Sequence, residues 1–176
     1  MKEQHFTGKS NTVADQKDLW QTPKALFHTL DQEFDFDLDV CASDGNALCS
    51  TYFTERDSAL DNEWDNFYHN SNSFMNPPYS QTELFLNRAS EQSKKHNLTT
   101  VALVNANTDT KWFADAVKSA NEIRLISGRI GFIKPDGGKA NGNPKGQCLI
   151  IWRGKCETPC QITMVSRDKL MKQSKN

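Results

Sequence analysis

"SNSFMNPPYSQTELFLNRASEQSKKHNLTTVALVNA" occupies residues 71–106, and its reading decides the fold. Residues 71–75 read as a short strand that delivers the chain into Asn76-Pro77-Pro78-Tyr79. Two adjacent prolines fix φ and remove two backbone donors, so the turn ends a strand and cannot continue as one. "TELFLNRASEQSKKH" then reads as a helix with Leu84, Phe85 and Ala89 facing inward. "LTTVALVNA" is a nearly continuous apolar strand, the pattern of the buried middle of a parallel sheet. Strand, turn, helix and strand in this order make the repeating unit of an α/β sheet.

The flanking sequence extends the pattern in both directions. Upstream, "WQTPKALFHTLDQEF" predicts a helix with Thr22 as its cap and Pro23 at its first position, and Leu26, Phe27, Leu30 and Phe34 recur at helical spacing. "FDLDV" predicts an alternating strand over 36–40, and "STYFT" a strand over 50–54. Downstream come a helix in "DTKWFADAVKSA", a strand in "EIRLISG" and a last strand in "GQCLIIWRG". Thr108 or Asp109 can cap that helix, and Trp112 with Phe113 reads more readily as core than as a base-stacking platform. The expected architecture is a Rossmann-like α/β sheet, mostly parallel with an antiparallel C-terminal strand and helices on both faces. Residues 1–18 read as a flexible N-terminal arm and 19–176 as a single domain, with a basic hairpin or loop at about 128–147.

Composition narrows the class. The chain has 176 residues, 36% hydrophobic and 24% charged, enough for one sizeable core. No apolar run approaches a membrane span and the N-terminus is polar, so a cytoplasmic protein is expected, with no membrane partner. Five cysteines without a secretion signal argue for reduced thiols over a disulfide framework or a metal site. The net charge of −1 hides an asymmetry: residues 31–80 hold eleven Asp/Glu against one Arg, while 121–176 hold eleven Lys/Arg against four Asp/Glu. That segregation suits a basic face for a polyanion, or a solvated surface whose charges cancel.

The proline turn carries the chemistry. An exocyclic amine on an aromatic base is a poor nucleophile because its lone pair is delocalised into the ring. A site that alkylates it needs acceptors on the amine protons, and the Asn76 side-chain oxygen and the Pro77 carbonyl are candidates. Pro77 and Pro78 would hold that carbonyl in place, and Tyr79 offers a flat face for a base taken out of a helix. A plain proline-rich turn beside a core tyrosine is the alternative.

"NPPY" resembles the catalytic signature of S-adenosylmethionine-dependent amino-methyltransferases. With "WQTPKALFHTLDQEFDFDLDVCAS", "NALCSTYFT", "NTDTKWF", "GRIGF" and "QCLIIW", the chain is similar, over about residues 19–153, to the small phage and prophage Dam-like DNA N6-adenine methyltransferases. The resemblance implies a methyltransferase sheet, S-adenosylmethionine as cofactor and double-stranded DNA as partner. It implies that Asn76 and Pro77 grip the target amine, that Tyr79 stacks on a flipped adenine, and that Asp39, Cys41, Ala42 and Ser43 hold the methionine part of the cofactor.

"DVCASDGN" stands where methyltransferases usually carry a glycine-rich turn, with Gly45 its one glycine. Asp39 either meets an α-amino group or merely ends a strand, and Asn46 either joins that site or caps a turn. Asp57 is a candidate for an adenine ring and Glu55 for a ribose hydroxyl; both are alternatively surface acids. Thr22 and Pro23 either help close the cofactor pocket or serve the helix alone. Arg129, Lys134, Lys139 and Lys145 are the candidate DNA contacts, in a glycine-rich segment whose backbone can approach phosphates. No separate recognition domain is evident, so recognition falls to loops and the arm, in one copy or in a homo-oligomer. Two other readings stay open: methylation of a planar nitrogen in RNA or a protein glutamine, and a catalytically silent nucleic-acid-binding module.

Overall fold

The computed structural model describes residues 18–65, 72–138 and 143–172. Its elements in chain order are α1 (Lys24–Phe34), β1 (Phe36–Asp39), β2 (Thr51–Tyr52), β3 (Asn72–Met75), a 3-10 turn (Tyr79–Gln81), α2 (Thr82–His96), β4 (Thr99–Asn105) and α3 (Lys111–Ser119). β5 (Glu122–Ser127), β6 (Gln147–Arg153), β7 (Gln161–Ser166) and the short α4 (Arg167–Leu170) complete the fold. The seven strands form one sheet in the order β2-β1-β3-β4-β6-β5-β7. β6 is antiparallel to both neighbours, β4 and β5, and every other pairing is parallel.

Strict alternation along the central strands builds two cores from one sheet. Ala102 and Val104 of β4, with Cys148, Ile150 and Trp152 of β6, face a layer completed by Phe85, Leu86 and Ala89 of α2 and by Phe113 and Ala116 of α3. Val101, Leu103, Leu149 and Ile151 face the opposite layer, under Leu26, Phe27, Leu30 and Phe34 of α1 and Leu170 of α4. Helices therefore cover both faces, as the strand–helix alternation requires. Each fully buried large apolar side chain here contributes about 1.5–3 kcal/mol. Phe27, Phe36 and Phe74 interlock at ring separations of 5.3–5.6 Å.

Several local expectations are corrected. Thr22 does not cap α1: Pro23 is the N-cap, in an extended conformation, and its carbonyl receives the N–H groups of Leu26 and Phe27. Thr22 is buried instead. Leu84 is 57% exposed, because Phe85, Leu86 and Ala89 form the inward stripe and Leu84 lies about 100° away from it. Thr110, rather than Thr108 or Asp109, caps α3, its hydroxyl accepting from the Phe113 N–H at 3.3 Å. The strand expected over 50–54 is only Thr51–Tyr52. β1 does not alternate, since Leu38 and Asp39 are both buried. β6 is not the last strand: β7 adds an edge whose side chains are nearly all exposed, so no burial pattern announced it.

One glycine is required by close approach. Gly154, just after β6, has φ +57° and donates its N–H to the Leu98 carbonyl, and a Cβ there would lie 3.0 Å from Asn97 Cα. Gly154→Ala is expected to destabilise by about 2 kcal/mol, combining left-handed strain with the clash, read as a lowered urea midpoint at unchanged slope.

Candidate active site

Parallel strands β1, β2 and β3 end side by side, and the loops leaving them enclose a cavity of about 720 Å³. Three segments supply its wall. After β1 come Val40, Cys41, Ala42, Ser43, Asp44 and Asn46; after β2 come Phe53, Thr54, Glu55, Arg56, Ser58, Ala59 and Leu60. After β3 come Asn76, Pro78, Ser80 and Gln81, with Phe85 of α2 behind them and Asp18 and Leu19 at the N-terminal side. Seven sequence candidates thus line one cavity: Cys41, Ala42, Ser43, Asn46, Glu55, Asn76 and Pro78. Thr22, Pro23, Asp39, Asp57, Pro77 and Tyr79 stand outside its lining.

Two of the outsiders shape the walls. Asp39 is buried, and its carboxylate accepts from the N–H groups of Cys41 at 3.3 Å and Leu48 at 3.1 Å, folding the 40–48 loop around itself. Asn46 closes the same loop by accepting the Ser43 N–H at 2.7 Å. Asp57 accepts from both the N–H and the hydroxyl of Thr54, which tucks in the loop after β2 and holds the acid below the usual carboxylate range. Burial pushes the Asp39 carboxyl up from 3.8 to about 6, against the pull of its two backbone donors. A raised carboxyl pKa means that the folded state binds the proton more tightly than the unfolded chain. This contribution is therefore present at low pH and is lost as pH rises from about 4 to 6. Stability should fall across that window by up to about 3 kcal/mol. Asp39→Asn should flatten the fall, as followed by urea unfolding at successive pH values.

The proline turn is held from two sides. Asn76 donates its Nδ2 to the Trp20 carbonyl at 3.4 Å, and Ser80 donates its N–H and hydroxyl to the Asp18 carboxylate at 3.3 and 2.6 Å. Gln21 exchanges both backbone hydrogen bonds with Ile133, in the β5–β6 connection. Residues 18–21 thus lie as a strap across the turn. Among the described residues, nothing donates to the Asn76 side-chain oxygen or to the Pro77 carbonyl, so both acceptors are unpaired, Asn76 on the cavity wall and Pro77 buried behind it. Tyr79 is half-buried, its hydroxyl accepts from Asn143 Nδ2 at 3.3 Å, and burial raises its pKa.

The β5–β6 connection is anchored more firmly than an open loop. Ile130 and Phe132 are fully buried in the core, and a tight turn follows in which Lys134 exchanges backbone bonds with Gly137 and Gly138. Arg129, Lys134 and Lys145 are exposed, and among the described residues none of them is in an ion pair. Lys139 and all but Asp18 of the arm expected over residues 1–18 lie outside the described residues. The strap was missed because Asp18 was counted as arm and Trp20 and Gln21 were read with the helix that follows, and Asn143 because a lone Asn in a glycine-rich loop carries no signal.

The chain matches the family described as DNA N-6-adenine-methyltransferase (Dam) over residues 9–176. It belongs to that family. It is 40% identical over 151 residues to a DNA N-6-adenine-methyltransferase of Haemophilus phage HP1 (strain HP1c1), covering 84% of this chain and 85% of that protein. It is 33% identical over 171 residues to a DNA N-6-adenine-methyltransferase of Escherichia phage T1, covering 88% and 70% of the two. The open α/β sheet with one antiparallel strand is consistent with a methyltransferase fold. No helix among the described residues is long and apolar enough to cross a membrane.

Proposed function

We propose that this DNA adenine methyltransferase moves the methyl group of S-adenosylmethionine to N6 of an adenine turned out of duplex DNA. The observation that carries the reading is the shared cavity, whose walls join the β1 and β2 loops to Asn76 and Pro78. Its size lies within the range of small-molecule sites. Its lining also suits a nucleoside with an amino-acid tail. Val40, Phe53, Ala59, Leu60 and Phe85 offer apolar surface to a purine, Glu55 and Ser58 offer acceptors to ribose, and Cys41 to Ser43 with Asn46 give a polar floor. Bound there, S-adenosylmethionine would supply an electrophilic sulfonium methyl.

The chain's own part is orientation and polarisation. Because Asn76 spends its Nδ2 on Trp20, its oxygen is left to accept one amine proton, and the Pro77 carbonyl is free to accept the other. Two acceptors draw the nitrogen lone pair out of the ring and toward the methyl donor. Tyr79 supports the base by stacking, and Arg129, Lys134 and Lys145 meet phosphates. Asp39 acts through the loop it folds.

The test is transfer of labelled methyl groups to adenine-containing duplex DNA, followed by mapping of the modified base. Label appearing only in RNA or protein, or no cofactor binding by calorimetry, would overturn the reading.

A further inference from the structure

We infer that Asn143 is a positioning residue that sets the ring of Tyr79 and ties it to the basic β5–β6 connection. The inference rests on the proposed stacking role of Tyr79. Asn143 is 8% exposed, although its neighbours Pro144 and Lys145 are exposed, so its side chain is held in place. Its backbone N–H donates to the Ile130 carbonyl at 3.3 Å, rooting it beside a core residue. Its side-chain oxygen accepts the Lys145 N–H at 3.1 Å. Only the oxygen of an amide can accept, so this bond fixes which way the amide faces. The Nδ2 is thereby committed to donate, and it meets the Tyr79 hydroxyl at 3.3 Å.

Two consequences follow from that geometry. Tyr79 oxygen is the acceptor, so the phenol keeps its own proton for another partner. Lys145, whose ammonium is a candidate phosphate contact, is one hydrogen bond from the amide that holds the ring. A phosphate seated on Lys145 therefore orders Asn143 and, through it, the stacking surface. Asn143 touches neither base nor cofactor in this account; it acts through Tyr79.

A double-mutant cycle tests the link, with single-turnover methylation of duplex DNA as one readout and 2-aminopurine at the target position as the other. Tyr79→Phe keeps the ring and removes the bond. Asn143→Ala removes the bond from the other side. Each is expected to slow methyl transfer by about tenfold, the scale of one lost hydrogen bond to a positioned group, without changing cofactor affinity. The double variant should be no slower than either single one, and 2-aminopurine should be less quenched in all three. Asn143→Asp keeps the acceptor for Lys145 and can receive the Tyr79 O–H, so it should recover most of the rate. Multiplying effects in the double variant, or a normal rate in Asn143→Ala, would overturn the inference. Should Asn143→Ala unfold the loop, the pair Tyr79→Phe and Asn143→Asp decides alone: an unchanged rate in Tyr79→Phe is fatal to the proposal. Tyr79→Ala separates the layers, because a normal rate there removes the stacking role itself, whereas a dead enzyme with an additive cycle removes only the link.

Discussion

Asn76→Ala is expected to reduce methyl transfer to DNA by about 10²–10³-fold or more, the scale of losing a preorganised acceptor in a transition state. Cofactor affinity should change little. Asn76 follows directly on β3, and among the described residues its side chain makes one hydrogen bond, at 3.4 Å to Trp20, so the fold depends on it only weakly. The amide does two things that alanine cannot: it fixes its own orientation through Nδ2 and presents the oxygen to the amine. Asn76→Asp separates these functions. A carboxylate still accepts a proton from the amine but repels the Trp20 carbonyl, so its activity should fall between those of the wild type and alanine. Calorimetry for the cofactor alongside single-turnover rates gives the answer. A rate within threefold of wild type in Asn76→Ala would remove the turn from the chemistry.

Neutralising Arg129, Lys134 and Lys145 together is expected to weaken DNA binding by about 10²–10³-fold at moderate salt. These cations are exposed and free of ion pairs among the described residues, and Lys145 is linked to Tyr79 through Asn143. If each meets a phosphate, the triple variant should lose about 2–3 units from the slope of log affinity against log salt. A fall in affinity with the slope intact would mean that the segment contributes shape rather than charge. Fluorescence anisotropy across a salt series distinguishes the two outcomes, and methyl transfer at saturating DNA should slow only by as much as the loss of Lys145 loosens Asn143 and Tyr79.

Elements whose pattern was dictated by burial were legible in the sequence. α2 over Thr82–His96 and the central strands β4 and β6 stand where the residues place them, because each side chain there must suit one of two dry faces. Elements decided by a single contact were not. Pro23 caps α1 because its carbonyl is free to receive two N–H groups, a choice invisible from residue type. β7 forms by backbone pairing to β5, with Ile162 and Met164 left exposed, so its sequence shows no face to read.

The site divides along the same line. Asn76, Pro78 and the segment after β1 were legible as neighbours because unusual residues sit at strand ends, and seven of the candidates share one cavity, while Pro77 and Tyr79 stand outside its lining. Asp39 shows the limit. Its position drew attention, yet both its oxygens are turned to the loop backbone, and a sequence does not say which way a carboxylate points. The strap at 18–21 was equally hidden, since its hold on Ser80 and Asn76 spans more than fifty residues.

The reversed strand β6 imposes an order on biosynthesis. It lies between β4 and β5, whose polypeptide leaves the ribosome well before residue 147. Until Gln147–Arg153 arrive, both neighbours present bare edges, and the two dry layers lack their middle. A ribosome stalled upstream of that segment would thus leave a sticky, inactive fragment, a ready target for chaperones or proteolysis.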